Sequence, residues 1–434
     1  MKGLFLVEPV VALYAFSAFL IYPLVQQYVY RRFWQQLTNT SYPISDASSC
    51  AANSSNQSSS DEEVQRQASL FSLYSELLST IPSLIVTLMI VAYSDRGGRK
   101  ITIIMPLVGT LIYTLSFLTV SYFELNIYLL IGSSLVSSLF GGTGTFLGGC
   151  FAYIADLCED GRQKTLRMAG LDMMIGLLAG VASISTGYFV RAAGFNWPFV
   201  TSALFQCLIL LYAVFILEET VKKAPTDAVN LNGAPRRTAL KQMISGVYHM
   251  FAGTSCRCKT VLILLMLIFT SFSFAYVGGI SMMTLYELNK PLCWTDILIG
   301  YGSAMSTTVF LTSFLGVLVF SYCGVPQLAI VVMGIMSVVL GMILLAFSKT
   351  TLLMFLRVPL LLSIMPFPIL RSMMSKIISK SEQALFACLS FLENLTNNVS
   401  TAVFNSVYAA TVTWYPGFIF LLSAGLCAIP LAVL

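Results

Sequence analysis

The sequence predicts an all-α membrane protein of twelve transmembrane helices arranged as two six-helix halves. Three observations predict it. The chain has 434 residues, of which 57% are hydrophobic and only 10% charged, where a soluble domain carries about 25% charged residues. Such a chain cannot cover its apolar surface in water, so its solvent is lipid. Twelve apolar stretches reach the ~20 residues needed to cross a bilayer. The longest break between them, residues 218–259, has six stretches before it and six after. This composition excludes a soluble enzyme, a disordered tail protein and a small disulfide scaffold.

The expected spans are 6–26, 70–93, 101–121, 127–155, 164–191, 196–217, 260–286, 296–321, 326–347, 351–375, 382–411 and 414–434. None alternates polar and apolar residues, which excludes a membrane β-barrel. Backbone hydrogen bonds must then close within each span, which leaves helices. Glu8 interrupts any signal-peptide core, and the apolar run continues past Tyr22, so the first helix is retained. The organisation is therefore an N-terminal half (1–217) with an outside loop at 31–69, a linker (218–259) and a C-terminal half (260–434). In the linker, the spacing of Leu240, Met243, Ile244, Val247 and Phe251 suits a basic helix lying on the membrane surface; a disordered linker fits the same residues. His249, the only histidine, falls here.

Charge sets the expected orientation. With the N-terminus in the cytosol, seventeen Lys and Arg residues fall on the cytosolic side and six on the other, with Arg357 inside a span. Basic residues gather in cytosolic loops, so both termini are expected there. The net charge of +5 follows this loop pattern, and nucleic acid is not an expected partner. The first outside loop carries three Asn-x-Ser/Thr acceptors, Asn39, Asn53 and Asn56, and glycosylation occurs only on the lumenal side. Of ten cysteines, Cys50 and Cys293 face that oxidising side and are expected to form a disulfide.

Between spans two and three stands Ser94-Asp95-Arg96-Gly97-Gly98-Arg99-Lys100. This segment resembles the loop signature of the major facilitator superfamily, D-R-x-G-R-(R/K), and implies that superfamily's two-half fold. Asp95 suits a helix N-terminus, Gly98 a tight turn, and Arg99 an ion pair with an acid on span four, for which Asp156 is the candidate. Arg96 completes the motif. Val91 departs from it, standing where a glycine is usual.

The resemblance narrows with Leu6-Val-Glu-Pro9, Gln27-Tyr-Val-Tyr-Arg-Arg32, Pro291-Leu-Cys-Trp294, Ile299-Gly-Tyr-Gly-Ser303, Leu311-Thr-Ser-Phe-Leu-Gly316, Leu370-Arg-Ser-Met-Met-Ser-Lys376 and Trp414-Tyr-Pro-Gly417. Together these are similar to solute carrier family 46. The likeness is nearer to its lysosomal member than to its folate transporter and runs from residue 1 to about residue 430. It implies proton-coupled export of lipophilic anionic solutes from lysosome to cytosol. Steroid sulfates and conjugates, drug-conjugate catabolites, muropeptides and cyclic dinucleotides are the implied substrates. Protons serve as the coupling ion, and no cofactor or resident metal is expected. The plasma membrane is the second choice of location, and the chain is expected to be a monomer.

Charges at bilayer depth are costly and therefore paired or functional. Asp172 falls where the resembled folate transporter has a proton-coupling Glu, and takes that role by resemblance; a structural pair with a neighbouring helix is its alternative. Arg371 matches a family arginine tied to substrate and protons, or anchors the inner leaflet. Glu76 and Glu393 can hold a proton or hydrogen-bond across helices. Arg357, Tyr276, Tyr301, Asn394 and Asn398 are candidate substrate contacts, with packing roles as their alternatives. Span seven lacks the folate transporter's histidine, and Tyr276 lies near the matching place, which weakens a folate-type reading. Three adjacent methionine pairs permit a copper reading, since thioethers suit Cu(I), but neighbours on a helix point apart. A receptor remains a further class. Without HExxH or GxSxG, a membrane enzyme is not expected.

Overall fold

A computed structural model of the chain describes residues 6–39, 55–157, 161–220, 256–290, 292–355, 357–377 and 382–434. The linker helix, His249, Cys50 and Asn53 lie outside the described residues. So do the side chains of Asn56, Asp95, Arg96, Asp156 and Asp172.

The first half contains α1 (Glu8–Thr38), α2 (Ser55–Gly97), α3 (Lys100–Tyr122), α4 (Leu129–Ser138), α5 (Thr143–Leu157), α6 (Gly161–Ala193) and α7 (Asn196–Phe215). The second contains α8 (Cys256–Ser281), α9 (Met283–Leu288), α10 (Asp296–Tyr322), α11 (Gln327–Ala346), α12 (Thr351–Phe355), α13 (Pro366–Ile377), α14 (Glu382–Thr411), α15 (Phe418–Leu426) and α16 (Ala428–Val433). A 3-10 segment, Val358–Leu362, precedes α13. No strand occurs among the described residues. Ten stretches are long and apolar enough to cross a membrane. The other two crossings are α14, whose asparagines dilute its apolar character, and the shorter α15–α16. The fold is the expected all-α bundle of twelve crossings.

Three crossings are broken. The fourth breaks between α4 and α5 at Gly141, which has φ of 88° and so needs glycine's freedom. The seventh breaks between α8 and α9. The tenth breaks around Pro359 and Pro366, because proline removes a backbone donor and clashes with the preceding turn. Its freed carbonyls find hydroxyl donors, as membrane depth demands: Thr312 and Ser313 donate to the Leu361 carbonyl at 2.7 and 3.0 Å, and Ser337 to that of Pro359.

Helix runs into both ends of the expected outside segment 31–69. α1 continues to Thr38, and α2 begins at Ser55. Helix persists because polar residues there satisfy one another along the helix: Glu63 accepts from Arg66 at 3.3 Å and from Gln67 at 3.1 Å.

We call the side bearing the 94–100 loop the motif face and the opposite side the far face. Between described residues, the polar contacts that join the halves all lie toward the far face. Arg31 pairs with Asp296 at 2.5 Å, and Tyr188 bonds Tyr301. Gln26 donates to the Ser281 carbonyl at 3.4 Å, Ser69 to that of Asn405 at 3.1 Å, and Tyr408 to Gln65 at 3.4 Å. The apolar core follows the same division. One buried cluster joins Leu24, Tyr28 and Phe117 of the first half to Phe269, Ile335 and Tyr408 of the second. A separate cluster around Val10, Phe146 and Ile209 stays within the first half, nearer the motif face.

Helices α6 and α10 show where the halves part. Small residues bring them together: a Cβ on Gly187 would lie 2.6 Å from the Asp296 carbonyl, and one on Gly300 2.8 Å from that of Ser183. Gly180 meets Thr307 and Gly176 meets Phe310, as small residues at a close helix crossing do. Toward the motif face the same strip of α10 continues through Leu311, Leu315, Leu318 and Tyr322, which are 36, 49, 51 and 93% exposed. The bundle is thus sealed at the far face and open toward the motif face.

Candidate transport site

Two sequence candidates meet where the halves begin to part. Arg371 on α13 donates to the Glu393 carboxylate on α14, and the two side chains remain 37 and 29% exposed. The guanidinium also lies over the Phe269 ring of α8 at 5.5 Å, within the ~6 Å of a cation–π contact. The next residue, Asn394, reaches the other half: a Cβ on Gly144 of α5 would overlap its amide. The ion pair therefore stands one residue from a contact between the halves.

The remaining asparagines of α14 divide by face. Asn397 accepts from Ser273 at 2.9 Å, and Asn405 takes part in the far-face seal. Asn398 is half-buried and has no hydrogen bond among the described residues. Tyr276 stacks on Phe272 with centroids 6.0 Å apart and planes at 12°, and its hydroxyl accepts from Ser363 at 3.5 Å.

Two other candidates are placed elsewhere. Arg357 is 3% exposed. It donates to Glu287 and Ser306, and to the carbonyls of Gly302 and Met354 at 3.0 Å each. Trp294 stacks beside it at 6.0 Å. The guanidinium is thus spent on internal partners, which fix the tenth crossing to the seventh and eighth. Sequence reasoning missed Glu287, which stands one residue past the expected end of span seven. An acid so close to an apolar run was the available signal. Tyr301 lies in the seam between the halves, bonded to Tyr188 and 39% exposed.

In the loop motif, Gly98 has φ of 117°, the turn conformation expected of it. The described acid at this loop is Glu219, which sequence reasoning also missed. Its carboxylate accepts from the backbone N–H groups of Arg99 and Lys100 at 2.6 and 3.2 Å, capping the start of α3. The Arg99 guanidinium donates to Ser94 at 3.1 Å. The expected partner, Asp156, has its side chain outside the described residues. Arg167 forms a two-pronged contact with Glu8, at 2.9 Å from its Nε and 2.5 Å from a terminal nitrogen.

The side chain of Asp172 is likewise outside the described residues. Its register is set by α6: it falls one turn before Gly176, on the strip that carries buried Ala179 and Ser183 and meets α10. Glu76 on α2 lies within electrostatic reach of Tyr22 on α1 and Tyr113 on α3. Asn39 ends α1 with φ of 51°. Cys293 is disulfide-bonded; its expected partner, Cys50, is outside the described residues.

A twelve-helix bundle closed at one face and open at the other, with a charged pair at the parting, defines a membrane transporter of the alternating-access class. A profile of the Major Facilitator Superfamily matches residues 9–396. A chicken (Gallus gallus) protein described as a lysosomal proton-coupled steroid conjugate and bile acid symporter SLC46A3 is 45% identical, covering 100% of this chain and 94% of its own. The rat (Rattus norvegicus) proton-coupled folate transporter is 32% identical over 98% of this chain and 90% of its own. Among solved structures, the human organic anion transporter MFSD10 (TETRAN) superposes with a TM-score of 0.65 at 15% identity over 100% of both chains, a likeness of fold. The chain belongs to the major facilitator superfamily and, within it, to solute carrier family 46. It is a transporter, not an enzyme.

Proposed function

We propose that the protein is a proton-coupled symporter that moves lipophilic organic anions, steroid sulfates and related conjugates above all, from an acidic lumen to the cytosol. The observation that carries this reading is the half-exposed Arg371–Glu393 pair above Phe269. While Glu393 is ionised it neutralises Arg371. A proton on Glu393 releases the guanidinium, whose flat fork then suits a sulfate or carboxylate. The opening between the halves beside the pair receives the hydrophobic body. Proton and anion thus favour each other's binding, and the coupling is reciprocal. Asp172, on the strip of α6 that faces the other half, is the second acid we place on the proton path.

The motif face is the cytosolic face in this reading, because the basic loops gather there. The names of the relatives support lysosomal placement. The monomer, the Cys50–Cys293 bridge and the glycans on Asn39, Asn53 and Asn56 belong to the same proposal. A difference of two pH units supplies about 3 kcal/mol per proton, enough for roughly 100-fold accumulation.

The test is uptake of tritiated estrone sulfate into vesicles holding the full chain, driven by an acidic exterior, with and without a protonophore. Uptake should collapse with the protonophore and with Arg371→Ala. Glu393→Gln should bind the probe at neutral pH as the native protein does in acid. Uptake indifferent to the protonophore removes the proton from the mechanism.

A further inference from the structure

Beyond Glu62 and Glu63 in the far-face extension of α2, five acids with described side chains lie within the helices of the crossings. Four have an arginine partner on another helix: Glu8 with Arg167, Asp296 with Arg31, Glu287 with Arg357 and Glu393 with Arg371. The fifth, Glu76, has none. No hydrogen bond, ion pair or charged neighbour reaches its carboxyl among the described residues. The titratable groups that face it are Tyr22 from α1 and Tyr113 from α3, and no described charged group faces it from α4 or α14.

Its position is specific. Glu76 falls two turns from Ser69 on the same strip of α2, and Ser69 bonds Asn405 of the other half. Tyr22 falls one turn from Gln26 on the same strip of α1, and Gln26 donates to Ser281 of the other half. Glu76 therefore stands two turns inside the far-face seal, between Tyr22 and Tyr113 of its own half. Tyr22 is 51% exposed there. An ionised carboxylate with no counter-charge at this depth is strongly disfavoured.

We infer that Glu76 is a further proton-carrying site, the one that licenses closure of the far face; this rests on the symport reading above. When the far face is open, a hydronium ion on that side gives up its proton, an O–H bond forms on the Glu76 carboxyl and water is left behind. The neutral acid lets the Ser69–Asn405 and Gln26–Ser281 contacts close over it. Once the motif face is open, that bond breaks and the proton passes to water in the cleft beside Tyr22. Unlike Glu393, Glu76 exchanges its proton without breaking an ion pair, so its titration is independent of the anion.

The experiment uses the full chain in proteoliposomes with the membrane potential clamped. The logarithm of the accumulation ratio of tritiated estrone sulfate is plotted against the pH difference. Each coupled proton contributes a slope of one, about tenfold per pH unit. Glu76→Gln should lower the slope by one while counterflow of the probe at equal pH persists. An unchanged slope overturns the inference. Counterflow reports the anion site alone, so its loss with Arg371→Ala and survival with Glu76→Gln separate the two readings. Should Glu76→Gln abolish counterflow, Glu76→Asp decides. A retained native slope supports titration at this site, and failure alongside the amide variant overturns it.

Discussion

Replacing Gly187 by alanine should tip the transporter toward a far-face-open state. The added Cβ would lie 2.6 Å from the Asp296 carbonyl oxygen and 2.9 Å from the Ile297 Cα. Both are backbone atoms, so no side chain can swing aside. Ordinary contact begins at about 3.5 Å, so α6 and α10 must separate by about 0.6–0.9 Å. Overpacking of this kind costs ~1–3 kcal/mol, and the whole penalty falls on the sealed conformation, because the contact vanishes when the seal opens. The population ratio should therefore move about 5- to 150-fold. Spin labels at Gln35 and Lys349, exposed far-face sites on opposite halves, report this by double electron–electron resonance as growth of a long-distance population. Distance distributions identical to those of the unmodified chain would refute the reasoning that this crossing forms the seal.

Glu287→Ala should destabilise the second half by about 3–5 kcal/mol, because it strands a buried guanidinium; the double change Glu287→Met with Arg357→Met should recover most of that loss. Thermal unfolding in detergent checks both. Glu219→Ala should lower stability by about 0.5–1 kcal/mol through loss of the cap on α3. It should also slow transport with little change in KM, read from initial rates of probe uptake.

The crossings were legible because each follows from local composition: a run of apolar residues long enough for lipid ends close to where it must. The polar stripe of α14 and the charges at 371 and 393 also stood out, since any charge in such a run is conspicuous. Their pairing was not legible, because it depends on where two helices cross. The same holds for Glu287 with Arg357 and for Glu219 at the start of α3, partners 70 and 120 positions apart in sequence. Within the expected outside segment 31–69 the polar residues do not end the helices. They mark only the end of the lipid, and α1 and α2 continue into water.

The tenth crossing carries a mechanical consequence. Its interrupted segment is stapled to its neighbours by the hydroxyls of Thr312, Ser313 and Ser337, and the Ile364 N–H donates back to Ser313 at 3.2 Å. That fragment travels as part of the scaffold built by α10 and α11. α13, which holds Arg371, starts at Pro366, whose ring lies against Gly334 of α11, and buries Leu370 and Met374 in the core, so the guanidinium rides on that same scaffold and moves only when the whole second half does.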